Sequence, residues 1–160
     1  GKKDIQEKNK KAEFSEDQLR VALKQEIGQG LAEVQREKDR VVVTVGSAGA
    51  FSSGSAKLTK KAREIMQKIA KVSGKGAGQI NVSGHTDDVP LIFGGQYRDN
   101  WDLAAARASS VVQELAKANT IPSDKLRAIS FGETRPIEQN DTKQGREKNR
   151  RIEIEIKYYL

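Results

Sequence analysis

Two pieces of sequence decide how this chain is read: Gly84-His85-Thr86-Asp87-Asp88-Val89-Pro90, and Asn100-Trp101-Asp102-Leu103-Ala104-Ala105-Ala106-Arg107-Ala108. The first follows the alternating apolar residues Ile80 and Val82, so it ends a strand and turns into a loop. The second opens a helix, because an Ala- and Leu-rich run follows a cluster of loop residues. A carboxylate at a strand end and a guanidinium on the following helix can face each other across a small cleft. Such a pair suits a ligand carrying both an amine and a carboxylate, and points to binding more than to bond making or breaking.

Working outward, Val41, Val43 and Val45 alternate in a β-branched run and predict a strand over residues 40–45. Leu58, Ala62, Ile65, Met66, Ile69 and Val72 predict an amphipathic helix that Gly74, Gly76 and Gly78 break. Residues 88–99, with Pro90, Gly94 and Gly95, form a loop long enough to be functional. The helix from Asn100 to Lys117 turns Leu103, Ala106, Val111 and Leu115 to the core and stops at Asn119 and Pro122. Leu126, Ala128 and Ser130 predict a third strand before Gly132, and Lys143 to Arg150 a short polar helix. In the last strand Ile152, Ile154 and Ile156 alternate with Arg151, Glu153, Glu155 and Lys157, which places one face in the core and the other in water. The order β-α-β-α-β-α-β is an α/β two-layer sandwich: one small mixed sheet with helices packed on it.

The N-terminal part divides differently. Residues 1–14 are rich in lysine and poor in apolar side chains, so they are expected to be a flexible linker. Ser15 and Gln18 have capping-box spacing, and Phe14 and Leu19 the spacing of a hydrophobic staple. Leu19, Leu23, Ile27 and Leu31 then recur every four residues. Residues 15–38, an N-terminal linker helix region, are accordingly expected to hold a helix that packs on the flank of the domain formed by residues 39–160, a reading preferred over a functional dimerisation or linker helix.

Bulk properties narrow the function. A chain of 160 residues is one domain with a lead-in, and its 36% apolar content suffices for one core. There is no cysteine, which excludes disulfides and thiolate metal sites. The apolar runs are too short to span a bilayer. No signal peptide is visible and the chain begins Gly1-Lys2-Lys3-Asp4, so a soluble fragment of a longer protein is expected. The net charge of +7 permits an anionic partner. Between Lys143 and Arg151 five basic residues meet a single acid, Glu147, but aromatic residues are only 5% of the chain and show no stacking pattern, so nucleic acid is not expected.

Other chemistries fit poorly. Gly49 to Ser55 lacks the lysine of a phosphate loop, and Gly74-Lys75-Gly76-Ala77-Gly78 precedes a strand where a dinucleotide fingerprint follows one. His85, Asp87 and Asp88 are too few for a hydrolytic metal site, with Asp87 and Asp88 pointing to opposite sides of an extended segment. His85 is the only histidine, and no Gly-x-Ser-x-Gly elbow accompanies it. It is expected to be a structural side chain at the turn. Arg107 alone would be an ordinary surface arginine or a bidentate carboxylate receptor. No enzyme, cofactor or metal is expected.

Taken together, Gly84-His85-Thr86-Asp87, Asn100 and Leu103 ahead of Arg107-Ala108, Gly132, Pro136, Asn140, Gly145-Arg146 and Asn149-Arg150-Arg151 resemble the OmpA-like peptidoglycan-binding domain over residues 40–157. Within it, Asp88-Val89-Pro90, Asn100-Trp101 and Phe51-Ser52-Ser53-Gly54-Ser55-Ala56 are most similar to flagellar motor stator B subunits of the MotB/PomB type. The resemblance implies a periplasmic, wall-binding domain in motility and chemotaxis. Its ligand would be the diaminopimelate of the peptidoglycan stem peptide, with Asp87 on the ammonium group and Arg107 on the carboxylate. Thr86, Asn100 and Leu103 would line or brace the pocket, and Arg150 and Arg151 would support it. The resemblance also implies a homodimer, a stator A subunit as partner through a membrane segment outside this chain, and as its alternative a cell-envelope tether or lipoprotein with no motor role. Many members have serine where this chain has Ala104, and aspartate where it has Ser52.

Overall fold

A computed structural model describes residues 1–74, 76–92 and 95–158. Lys75 of the glycine-rich turn, Phe93 and Gly94 of the long loop, and Tyr159 and Leu160 at the end of the expected domain lie outside the described residues.

One five-stranded mixed sheet carries the fold, in the order β1-β2-β5-β3-β4. Its strands are β1 (Ala32–Glu37), β2 (Arg40–Gly46), β3 (Ala77–His85), β4 (Leu126–Gly132) and β5 (Arg151–Tyr158). β3 and β4 run parallel, and the other neighbours are antiparallel. The last strand of the chain thus sits in the centre, paired with β2 on one side and β3 on the other. Its residues Ile152, Ile154 and Ile156 are fully buried, as are Val41, Val43, Ile80 and Val82 beside them. On the other face Arg40 reaches Glu155 at 3.1 Å, and the Asn81 amide donates to Glu155 at 3.0 Å. The period-two pattern therefore has the meaning read from it, with one exception. Arg151, expected on the wet face, is 3% exposed.

The helical layer consists of α1 (Lys2–Ala22), α2 (Lys24–Gly28), α3 (Ser47–Ala50), α4 (Lys60–Ser73), α5 (Asn100–Lys117) and α6 (Lys143–Asn149). Thr59 caps α4 by accepting from the Ala62 amide, and Asp99 caps α5 by accepting from the Asp102 amide. Ala62, Ile65, Met66 and Ile69 bury one face of α4, and Leu103, Ala108, Val111 and Leu115 one face of α5.

The N-terminal reading is corrected in two places. Residues 2–22 form a single helix, so the segment expected as a flexible linker is helical and the helix does not begin at Ser15. Lysine, glutamate, glutamine and alanine are strong helix formers, while the scarcity of large apolar side chains gives the segment the composition of a linker. Ser15 is buried mid-helix and accepts a hydrogen bond from the Tyr158 hydroxyl, while Phe14 is 65% exposed and staples nothing. Ala12, Ser15, Leu19, Leu23 and Glu26 make the buried stripe of α1 and α2. Glu26 is fully buried and takes an ion pair from Lys68 of α4 at 2.7 Å. Burial pushes the Glu26 carboxyl up, but the Lys68 bond, a backbone hydrogen bond and the charges of Lys68 and Lys61 together hold it below its ordinary pKa.

The second correction is β1. Residues 32–37 were expected to be part of a helical lead-in, yet they pair along the whole of β2. Only Ala32 and Val34 face the core, and charged or polar residues fill the other positions. The connecting turn, Lys38-Asp39, contains no glycine, and Lys38 itself takes φ 54°. Both signals of a hairpin, an apolar alternation and a glycine turn, are too weak here to read.

Candidate functional site

The close contact between α5 and the sheet builds the site. A Cβ on Gly84 would lie 2.3 Å from the Ala104 carbonyl oxygen, so the backbone of α5 rests directly on β3 at a position that only glycine can occupy. Ala104 is itself buried and small, which permits the same approach from the helix side. One residue later the pairing of β3 with β4 shifts register, and His85 pairs with Gly132. The Thr86 amide then donates to the Gly132 carbonyl at 2.8 Å and extends the ladder by one step. The chain leaves the sheet at Asp87, beside the first turns of α5.

Asn100 fixes this exit. Its side-chain amide donates to the Asp87 carbonyl at 3.3 Å and to the Val89 carbonyl at 3.1 Å, tying the loop to the helix start. The Thr86 hydroxyl donates to the Asp87 carbonyl at 2.7 Å. The Asp87 carboxylate accepts from the Val89 amide through Oδ1, at 3.0 Å, and from the Arg150 guanidinium through Oδ2, at 2.6 Å. A carboxylate has about four lone-pair positions, so two remain for a ligand.

Arg107 is only 6% exposed. Its Nε donates to the Ser55 carbonyl at 2.9 Å, its Nη2 approaches the Ser52 carbonyl at 3.5 Å, and its guanidinium lies 4.8 Å from the centroid of the Phe51 ring. The Ser110 hydroxyl donates to the Ala56 carbonyl at 2.6 Å and holds this loop against α5. Among the described residues no carboxylate forms an ion pair with Arg107. Burial pushes its pKa below the ordinary arginine value; Tyr97 nearby raises it and Arg150 lowers it. A buried cation held by neutral carbonyls and a ring is incomplete without an anion.

Asp87, Arg107, Thr86, Asn100, Leu103 and Arg150 all line one cleft of about 700 Å³, the size of a small-ligand site. Six of the seven expected site residues are thus brought together. Arg151 is not. Its Nε binds Glu153 at 2.7 Å and its Nη atoms donate to the carbonyls of Asn149 and Arg135, so it braces the corner between α6 and β5. Phe51 and Tyr97 line the cleft and were not read as site residues. The signal for Phe51 was its position as the lone aromatic in a run of Gly, Ser and Ala.

The motif residues around α6 deliver Arg150. Asn149 is fully buried; its Oδ1 accepts from the amides of Ile137 and Glu138, and its Nδ2 donates to the Glu138 carbonyl and to Asn140. Arg146 donates to the Asn140 carbonyl at 2.9 Å. A Cβ on Gly145 would fall 2.0 Å from the Gln139 carbonyl oxygen. The basic run Lys143–Arg151 is therefore partly consumed within the fold. A larger groove, of about 900 Å³, lies between α1 and α4 beside Phe14, Val21 and Tyr158. Its charged residues, Lys11, Asp17, Lys68 and Lys71, are not buried, so it offers no preorganised polar receptor.

His85 lies outside the cleft. It stacks on Phe131 with ring centroids 5.4 Å apart, and its Nε2 contacts the Ser83 hydroxyl at 2.9 Å. Burial lowers its pKa to about 4, helped by Arg151 and Arg135 and opposed by Glu153. In the unfolded chain it titrates near 6.5. Folding is thus favoured fully above pH 6.5 and loses this contribution as pH falls toward 4, by at most about 3 kcal/mol. Urea midpoints at pH 7 and pH 4.5 should differ less for His85→Asn than for the parent chain. An equal loss in both would assign the pH dependence to other groups.

Among the described residues no helix is long and apolar enough to cross a membrane, and no group of three His, Asp or Glu side chains comes together to hold a metal ion. The chain is similar to YtxE, an uncharacterised protein of Bacillus subtilis, with 34% identity over 92% of this chain and 62% of that protein. Motility protein B of the same organism is 29% identical over 78% of this chain and 48% of its own length. The chain therefore spans about half to three fifths of the length of these curated relatives. Among solved structures, the cell wall anchor of the type VI secretion system of Pseudomonas aeruginosa superimposes with a TM-score of 0.80 and 31% identity, over 88% of this chain and 96% of that one. The periplasmic domain of Helicobacter pylori MotB does so with a TM-score of 0.68 and 28% identity, over 79% of each chain. Residues 50–150, which run from Ala50 to Arg150 and contain every lining residue of the cleft except Ser47 and Ala48, match the OmpA family, and the chain belongs to it.

Proposed function

We propose that this chain is a non-enzymatic anchor that grips peptidoglycan in the periplasm. The observation that carries the reading is Arg107: a buried guanidinium at the cleft, with carbonyls and a ring for company and no acid paired to it among the described residues. A carboxylate from the ligand completes it with a bidentate, charge-assisted contact. Asp87, with two lone-pair positions unused, takes the ammonium group. The distinguishing side chain of the stem peptide, diaminopimelate, presents both groups on one carbon. Thr86, Asn100 and Leu103 hold the walls of the pocket, and Arg150 holds Asp87. Neither a cofactor nor nucleic acid enters this scheme.

The anchored machine is, in this reading, the ion-driven flagellar stator. The domain would hold the stator still while torque acts on the rotor, with a stator A subunit joined through a membrane segment beyond this chain. The likeness to motility protein B and to the MotB periplasmic domain supports it. A homodimer would add avidity on a polymeric wall without a new contact. A second reading, an envelope tether with no motor role, is supported by the likeness to the secretion-system anchor at 31% identity.

Two measurements test the scheme. The folded domain should sediment with purified peptidoglycan and be displaced by free diaminopimelate; failure to sediment overturns wall binding. Cells lacking the gene should carry flagella yet not swim, whereas normal swimming would leave the tether reading in place.

A further inference from the structure

The cleft carries more positive charge than a zwitterion needs. Of the described residues lining it, Asp87 is the one acid, and Arg107 and Arg150 are both bases. The two loop residues outside the description, Phe93 and Gly94, are uncharged. The cleft is therefore net positive by one charge, and an amine with a single carboxylate leaves it so. Arg150 gives only Nη1 to Asp87. A guanidinium has five N–H donors, and the Arg150 side chain is 35% exposed on the cleft wall, so its other edge is available to a ligand.

We infer that Arg150 forms a second anion subsite, and that the segment bound in the cleft presents one ammonium group with two carboxylates. This rests on the peptidoglycan reading and narrows it. Diaminopimelate in a stem peptide supplies the first ammonium–carboxylate pair from its free end. The second carboxylate can come from the neighbouring glutamyl residue or from the chain end when diaminopimelate is the last residue.

The test is calorimetric titration of the full chain, at low salt, with four synthetic tripeptides of alanine, γ-linked glutamate and diaminopimelate. One has both extra carboxylates free, one has the glutamyl group amidated, one the chain end, and one both. All keep the free end of diaminopimelate. The doubly amidated peptide should bind about tenfold or more weakly than the free one, with the gap closing as salt screens it. Whichever single amidation weakens binding identifies the source. Equal affinity for the free and doubly amidated peptides overturns the subsite while leaving wall binding intact; no binding by any of the four overturns the wall reading itself. Arg150→Gln should erase the preference. Because it also removes a partner of Asp87, a second variant serves if it does not fold: Ser52→Asp, an exposed position whose carbonyl already faces Arg107, neutralises the cleft and should shrink the preference severalfold. Undiminished discrimination by either folded variant would also count against the subsite.

Discussion

Arg107→Ala should lower the affinity for purified peptidoglycan by on the order of 100-fold or more while leaving the domain folded. Truncating one member of a buried, hydrogen-bonded charge pair costs roughly 2–5 kcal/mol of binding, which is the size of this loss. The fold depends on Arg107 far less. Its bonds run to the carbonyls of Ser52 and Ser55, and that loop keeps its own tie to α5 through Ser110. Removing a buried cation that has no acid beside it also removes its desolvation cost, which offsets the lost contact with Phe51. Arg107→Lys should fall between the two, since it keeps the charge and loses the planar fork. Sedimentation with purified wall, alongside a urea unfolding curve, separates the two effects. A folded alanine variant that sediments like the parent would remove Arg107 from the site.

Gly84→Ala should be among the most damaging small substitutions in the chain. The added Cβ would stand 2.3 Å from a backbone oxygen of α5, where no side chain can swing away. Either the helix lifts from β3 or the strand distorts, at a cost of about 1–3 kcal/mol or more for overpacking. The damage also reaches the cleft. Asp87 is three residues along from Gly84, and Arg107 three residues along from Ala104, so a gap between strand and helix separates the two ends of the receptor. Wall binding should fall by more than the unfolded fraction accounts for. A variant with the parent's stability and affinity would show that α5 is free to shift at this crossing.

The two substitutions also mark what the sequence could and could not reveal. β2, β3 and β5, with β-branched alternation, and helices α4 and α5 were legible because period and punctuation agree in them; β4 showed only an alternation of Leu126, Ala128 and Ser130, and α6 only a polar run. β1 was not legible, because half of its residues are charged and its turn runs through Lys38 and not through glycine. The N-terminal helix differs from the expected linker because its residues favour helix by propensity and resemble linker only by hydropathy. At the site, Asp87, Arg107 and Asn100 were legible as a motif. Their partners were not: the ion pair from Arg150 to Asp87 spans 63 residues, and the carbonyls that hold Arg107 come from a loop 52 and 55 residues away. Backbone oxygens carry no sequence signature. The family motif implies a supporting role for Arg151 as for Arg150, yet neighbouring residues on an extended chain face opposite ways, and Arg151 turns to the corner with Glu153.

The position of β5 has a mechanical consequence. The N-terminal helix rests on β1, β2, β5 and α4, while the cleft is assembled on the exit of β3, on α5, on the entry to β5, and on α3 and the loop that follows it. Tension between the two ends crosses β5 in the sheet and α4 in the helical layer. With no cysteine to cross-link the chain, the two ladders of β5 bear that tension in series, and the weaker one sets the load at which the sheet parts. β5 is thus the tie between the two halves of the sheet, and a chain truncated before Arg151 would keep only α4 and the run from β2 into α3 to join them.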